Sequence, residues 1–386
     1  MLIRISEVPP LRSEKKPKPA QHPPIPVKAG RRITMNDIAH RAGVSLGTVS
    51  HVINGNVPVR DEVRARVQKE IDELGYQPNH LSRALRTNRT NLIGMVIPDI
   101  TNPFFPSVVR GVEDVAFGSS YRLLLCNADN DPAKELAYLN DLRSFMPAGI
   151  ILIPSNDHKI VHTDDYPMVC IDRRPLDWKG DSVTTENAKG GYSAGKHLAQ
   201  LGHKTIGIIR GPKNVATAGE RVRGFLKALN EHNIKVPPEY IQEGVFNQES
   251  GYICAMRLLR LIPRPTAIFA ASDLMAVGVL SAIKACKLRC PDDLSLVGFD
   301  GLTFTELMEP ALTSVVQPSY QLGHAAAQLL LERIKGHNKG PQHIVLKTEL
   351  RIRDSVRPAP SAPKDISLNT ELRIKDPVKR LSRKSD

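Results

Sequence analysis

Apolar positions along the chain fall into two textures. Between Thr34 and Gly75 they come in short bursts at helical spacing: Ile38, Ala39 and Ala42; then Val49, Val52 and Ile53; then Val63, Val67, Ile71 and Leu74. Residues three and four apart share one face of a helix, so this segment predicts three short amphipathic helices. From Leu92 the texture changes. Short apolar runs at 92–97, 121–126, 149–153, 168–172, 205–209, 241–246, 266–270, 294–299 and 344–350 alternate with helical patterns such as Leu136, Leu139 and Leu142, or Phe225, Leu226 and Leu229. Runs without polar alternation suit strands buried on both faces, and the alternation of strand and helix suits parallel sheets. About 265 residues of it exceed one small doubly wound unit. The expected fold is an all-α head followed by an α/β body of two doubly wound lobes with a cleft between them.

The same reading sets boundaries. Residues 1–33, rich in Pro and Lys and without periodicity, are expected to be a disordered arm. Residues 34–75 form the head, and 76–90 a polar linker containing arginines. Residues 91–356 form the body, with an N-lobe of about 91–187 and 317–340 and a C-lobe of about 188–316 and 341–356. Residues 357–386 form a basic, disordered tail. Thr348-Glu-Leu-Arg-Ile-Arg-Asp354 recurs at Thr370–Asp376, with Val356 matched by Val378. One such pair is too short for a solenoid.

Charge sharpens the division. Residues 1–90 hold 16 Lys/Arg and 8 Asp/Glu, residues 357–386 hold 8 and 4, and the body between holds 29 and 28. A nearly neutral body thus carries a basic head and a basic tail, the electrostatic footprint of a nucleic-acid-binding protein. A solubilising surface would give the same count. The five cysteines are odd in number and include no CxxC pair, which predicts buried free thiols in a reducing compartment. There is no run of eighteen apolar residues, and the first thirty residues hold seven prolines and no apolar h-region. A membrane span and a secretory signal are therefore not expected, and the expected location is the cytoplasm, at the nucleoid.

Within the head, Thr34 followed by Asp37 suits a capping box. Gly43 ends the first helix, Ser45 caps the second, Asn54-Gly55-Asn56 stops it, and Gly75 closes the third. Two short helices joined by a tight glycine turn and packed on a third make a helix-turn-helix. The second helix turns Leu46, Gly47, Ser50, His51 and Asn54 away from the core, where a major groove could receive them. By spacing alone, a small helical bundle for protein contacts is the alternative. Pro78 stops the third helix. Asn79 can then cap residues 80–86 (HLSRALR), too short to be stable alone, which predicts folding on contact with DNA. Docking of Leu81 and Leu85 on the body is the other reading.

The segments TMNDIAHRAGVSLGTVSHVINGN (34–56), VRARVQKEIDELGYQPNHLSRALRTNRTNLIGMVIPDITNPFF (63–105) and SDLMAVGVLSAIKA (272–285) resemble the LacI/GalR-type bacterial transcription factors. The resemblance covers about residues 34–356. It implies a homodimeric, sequence-specific transcriptional regulator, expected to be a repressor, whose affinity for a pseudo-palindromic double-stranded DNA operator is set by a small-molecule effector. By position it assigns DNA contacts to Thr34, Ser45, Leu46, Gly47, Thr48, Ser50, His51 and Asn54 of the head and to Asn79, Ser82, Arg83 and Leu85 of a hinge helix. Leu85 would be the residue wedged into the minor groove. It also implies a periplasmic-binding-protein-like body. Arg60 stands where a Ser usually caps the third helix, which weakens that cap by about 1 kcal/mol.

Open α/β sheets bind ligands beyond the carboxyl ends of their strands. Polar and aromatic groups stand at such ends here: Asn102 and Phe104 after the first strand, Asp172-Arg173 at the end of MVCID (168–172), Ser272 and Asp273 after TAIFAA, Phe246 at the end of 241–246, and Asp300 just after 294–299. Arg221 opens a helix with Phe225. Carboxylates, a guanidinium and aromatic faces suit a sugar or nucleoside-like molecule. The resemblance singles out Arg221, Phe246 and Asp300. It usually places Asn where Ser272 stands, and Asp-Asn where Glu186-Asn187 stands. Neither cofactor nor metal is expected, since P-loop, HExxH and zinc-ligand patterns are absent. Two rivals remain: an exported sugar receptor, which would lack residues 34–90, and a hydrolase with Gly191-Tyr-Ser193-Ala-Gly195 as nucleophile elbow, which would need a strand just before it. An enzyme is not expected.

Overall fold

The computed structural model describes residues 33–55, 57–76, 90–160, 166–337 and 340–360. Head and body are separate compact units that divide between Arg83 and Ala84.

The head holds α1 (Met35–Ala42), α2 (Leu46–Asn54) and α3 (Asp61–Leu74). Thr34 and Asp37 form a complete capping box, and Ser45 accepts from Thr48 N at the start of α2. Gly43, Gly55 and Gly75 end the helices in the left-handed conformation, where a Cβ would be strained. Arg60 makes no side-chain cap. Ile38, Ala39, Ala42, Val49, Val67 and Tyr76 form the buried core. Outside it, Arg41 ties α1 to α3 through Glu70 at 2.6 Å and Glu73 at 3.0 Å.

The body holds two six-stranded sheets. In chain order its elements are β1 (Leu92–Ile97), α4 (Phe104–Gly118), β2 (Arg122–Asn127), α5 (Pro132–Ser144), β3 (Gly149–Leu152), β4 (Met168–Ile171) and β5 (Asp181–Thr185). Then come α6 (Asn187–Gln200), β6 (Ile206–Arg210), α7 (Ala216–Glu231), β7 (Ile241–Glu243), α8 (Gln248–Leu258), β8 (Ala267–Ala270) and α9 (Asp273–Ala285). The last are β9 (Ser295–Asp300), β10 (Thr313–Val316), α10 (Ser319–Ile334), β11 (His343–Leu346) and β12 (Glu349–Arg351). The N-lobe sheet runs β11-β5-β4-β3-β1-β2 and the C-lobe sheet β12-β10-β9-β8-β6-β7. Every pairing is parallel except that of β10 with β12. Each sheet reverses strand order once, at β1/β3 and at β6/β8, the switch points where ligands of open α/β sheets bind.

The structure corrects the sequence reading in three places. Strands β5 (DSVTT) and β10 (TSVV) are new. Their sequences look too polar for buried strands, yet Ser182 Oγ pairs with His343 Nδ1 at 2.9 Å and Ser314 Oγ donates to Asp273 at 2.6 Å. Residues 344–350 are not one strand. The chain leaves the N-lobe sheet after Leu346 and enters the C-lobe sheet at Glu349, so residues 341–346 belong with the N-lobe and not with the C-lobe as expected. The apolar rhythm continues through the crossing because both sheets need it. The run at 241–246 pairs only as far as Glu243, and Phe246 lies in the following loop.

GYSAG is no nucleophile elbow. Residues 191–195 lie inside α6, and Ser193 Oγ donates back to Lys189 O at 3.1 Å. Its glycines serve packing: a Cβ on Gly191 would stand 2.0 Å from Arg221 O, and one on Gly224 of α7 1.8 Å from Ala188 O. Two more helix pairs close at backbone distance in the same way, α4 on α10 through Gly111 and Gly323, and α8 on α9 through Gly251 and Gly278. Gly224→Ala is therefore expected to destabilise the body by about 1–3 kcal/mol or more, measured by urea unfolding of the whole chain.

Candidate nucleic-acid interface and interlobe cleft

Helix α2 presents a short polar surface. Ser45, Leu46 and Gly47 are exposed, Thr48, Ser50 and His51 are half-buried, and Asn54 is the last helical residue. Leu46 is 45% exposed, a large apolar side chain with no core to fill. A side chain at Gly47 would meet nothing closer than Ser45 Oγ at 3.7 Å, so packing does not require glycine there. Exposed Thr34 is engaged with Asp37 in the capping box. The hinge segment 80–86, with Asn79, Ser82, Arg83 and Leu85, lies outside the described residues. So do the arm and residues 361–386, which include the second TELRI copy.

In the body the chain passes between the lobes three times, at residues 185–187, 316–319 and 346–349. The crossings lie side by side. Thr185 Oγ1 donates to Gln317 Oε1 at 2.7 Å, Glu186 N donates to Leu346 O at 3.0 Å, and Thr348 Oγ1 donates to Glu186 O at 3.4 Å.

Arg221 sits against these crossings. It lies in the second turn of α7, which starts five residues earlier than expected, and it is buried. Its Nε donates to Asn187 Oδ1 at 2.9 Å, and its Nη1 to Ala271 O at 2.7 Å and Asp300 Oδ1 at 3.1 Å. Gln317 Nε2 donates to the same Asp300 oxygen at 2.9 Å. The guanidinium lies 4.0 Å from the Phe299 ring centroid and 5.8 Å from that of Phe246. From the N-lobe, Arg173 reaches the same aromatic at 5.9 Å and Phe105 at 5.9 Å. Phe246 is thus flanked by one arginine from each lobe.

Asp172 pairs with Arg173 at 3.4 Å, and its other oxygen, Oδ1, is buried with no hydrogen-bond partner among the described residues. The positive φ of Asp172 (63°) and of Asp300 (120°) is a costly backbone state of the kind that concentrates at functional sites. A cavity of about 620 Å³ opens beside the crossings, lined by Asp172, Arg173, Glu186, Asn187, Thr217 and Glu220 among others. At the mouth, Asp157 of the N-lobe accepts from Ala216 N at 2.8 Å and so caps α7 of the C-lobe. Val215, at the cap position of α7, supplies no side-chain bond of its own. Beneath that loop, buried Glu135 accepts from Ser155 N at 2.6 Å and pairs with His158 at 3.2 Å.

The structure gathers Arg221, Asp300, Phe246 and Asp172, and it engages the side chains of the other predicted residues within their own lobes. Ser272 is the cap of α9 and accepts from Met275 N at 3.3 Å. Asp273 turns into the C-lobe, where it accepts from Leu302 N at 2.8 Å and from Ser314. Asn102 Oδ1 accepts from Phe104 N at the start of α4, and Phe104 is part of the N-lobe core. Sequence reasoning pointed to Arg173 beside Asp172 but missed Asn187 and Gln317 as partners. Both lie on crossings whose meeting only the fold reveals.

Burial, and then the charge of Asp300, push Asp273 up to about 8. Burial raises Asp300 to about 6 against the opposing pull of Arg221. Both folded values exceed the unfolded one, near 4. The stabilisation these groups give is complete below about pH 4 and is lost as pH rises through about 6 and then about 8. The body should melt higher at about pH 6 than at about pH 8.5, and Asp273→Asn should remove most of that difference in a thermal melt.

Comparison with known proteins places these features. The family model for bacterial regulatory proteins of the lacI family matches residues 34–79, and that for the periplasmic binding protein-like domain matches residues 196–356. The transcriptional repressor PurR of Mannheimia succiniciproducens is 38% identical over 329 residues, which is 84% of this chain and 98% of that one. A solved complex of the transcriptional regulator CelR with cellobiose is 31% identical, with a TM-score of 0.63 over 84% of this chain and all of that one. The lac repressor dimer bound to operator and the anti-inducer ONPF shares the fold, at 24% identity and a TM-score of 0.75 over 85% of this chain and all of that one. Head, paired α/β lobes and near full-length identity to a repressor together show that the chain belongs to the LacI family of bacterial transcriptional regulators.

Proposed function

We propose that the exposed face of α2 reads the operator and that the interlobe cleft takes a sugar or nucleoside-like effector whose binding changes the spacing of two heads in a homodimer. The observation that carries the effector half is the chain of contacts from Arg221 and Asp300 through Gln317 and Thr185 into the crossings. A molecule that engages this pair acts on the segments about which the lobes turn. Arg221, Asp300, Phe246, Asp172 and Arg173 are its contacts: carboxylates and guanidinia for hydroxyl or amide groups, and a ring for the ligand's flat face. Ser272, Asp273, Asn102 and Phe104 set the shape of the site from behind.

In the head, Leu46 and Gly47 present apolar contact and bare backbone, with Ser50, His51 and Asn54 beside them. Ser45, Thr48 and Thr34 meet phosphates at helix N-termini. Asn79, Ser82, Arg83 and Leu85 act at the minor groove, and the basic arm and tail add salt-dependent affinity. The protein works in the cytoplasm and catalyses no reaction. An effector shifts the DNA-bound population only as far as it prefers one body conformation over the other. A gel shift on inverted repeats from the protein's own upstream DNA, repeated with ribose, cellobiose and purine nucleosides, tests both halves. A retarded dimeric complex altered by one of these ligands supports the reading. A chain that stays monomeric and ignores the repeats overturns it.

A further inference from the structure

The C-terminal echo grows when it is laid on the structure. Residues 344–357 (IVLKTELRIRDSVR) and 366–379 (ISLNTELRIKDPVK) are identical at nine of fourteen positions, and Arg353 and Arg357 are answered by Lys375 and Lys379. The first copy is the whole third crossing: nearly all of β11, two linking residues, β12 and the stretch to Val356. Ile344 and Leu346 pack on the N-lobe core, and Leu350 and Val356 on the C-lobe core. The second copy keeps all four as Ile366, Leu368, Leu372 and Val378, and it keeps Thr348, the link to the first crossing, as Thr370. Val345, 55% exposed, is among the positions that change. A strand's register is specified by which residues it buries, and the second segment carries the same apolar residues at the positions the first one buries.

We infer that residues 366–379 are a second occupant of the two sheet edges now held by 344–357, so the chain owns two interchangeable third crossings 22 residues apart. In the exchanged form Ile366 and Leu368 take the places of Ile344 opposite Val183 and Leu346 opposite Thr185. Glu371, Leu372 and Arg373 take those of Glu349, Leu350 and Arg351 opposite Val316, Val315 and Ser314. The displaced residues join the loop after α10, and closure entropy grows only with the logarithm of loop length. The first copy is the resident because of Ser355. Its Oγ donates to Leu296 O at 2.6 Å and accepts from Thr313 N at 2.8 Å, and its N–H donates to Ala311 O at 3.0 Å. Pro377 has neither hydroxyl nor N–H, so the second copy seats less well.

The test uses the full-length protein in three forms: Leu350→Asp, Leu372→Asp and the double variant. Leu372→Asp alone should melt as the parent does. Leu350→Asp should melt only a few degrees lower, because the second copy takes the slot, and the double variant should fall by a further ~10 °C or more. A Leu350→Asp chain that is as unstable as the double variant, or that fails to fold, overturns the exchange. A trapping experiment reads the register directly, since directly opposed residues of an antiparallel pair suit a disulfide. In the Leu350→Asp chain, Val316→Cys with Glu371→Cys should oxidise to a bond within one chain, located by peptide mapping. No bond, or a bond joining two chains, sinks the proposal.

Discussion

Arg221→Met is expected to leave operator binding in place and to abolish the response to effector. The change strips partners from Asn187 Oδ1, Ala271 O and Asp300 Oδ1 at once. Removing one member of a buried ion pair leaves the other uncompensated, at about 3–5 kcal/mol. That loss should appear in urea unfolding of the body and not in the head, which is a separate unit. The double variant Arg221→Met/Asp300→Asn separates stability from signalling. Removing the stranded charge should restore much of the stability, while gel shifts with and without effector stay identical. A restored response in the double variant would show that the pair props up the fold and is not read by the ligand.

Val49→Asp should cost operator affinity about a thousandfold or more, to the level of non-specific binding. Val49 is fully buried in a core of six side chains. A carboxylate there has no partner, and a unit this small has only a few kcal/mol to lose. Fluorescence anisotropy on labelled operator should show the loss, while the body's melting and effector binding stay unchanged. Leu46→Ala is the contrast. Its side chain is largely exposed, so head stability should move by less than about 0.5 kcal/mol and the effect should fall on which bases are preferred. Loss of folding in Leu46→Ala would remove that residue from the reading surface.

The head was legible almost residue by residue because its signals are local. Caps, glycine stops and helical spacing all act within a few positions, and each landed where the spacing placed it. The body was legible in class and not in detail. Strands β5 and β10 hid because their serines, threonines and Asp181 are satisfied by partners far along the chain, Arg333 holding Asp181 at 2.7 Å among them. Arg221 and Asp300 stood out in the sequence. Gln317 and Asn187 did not, since nothing local marks two polar residues more than a hundred positions apart as neighbours. Ser272 and Asp273 stood out too, and what the sequence did not show is that their side chains also cap a helix and brace a turn.

The position of β11 has a consequence for how the protein is made. The N-lobe begins with the strand at Leu92 but completes its sheet only with residues 343–346. A nascent chain on the ribosome therefore carries an unfinished sheet edge along β5 until residues 343–346, about 160 positions later, have been translated. Edges of this kind invite pairing with other chains. The interval is longest for the lobe synthesised first, so slow elongation or a stall between α6 and α10 should favour aggregation more than the same delay in the head.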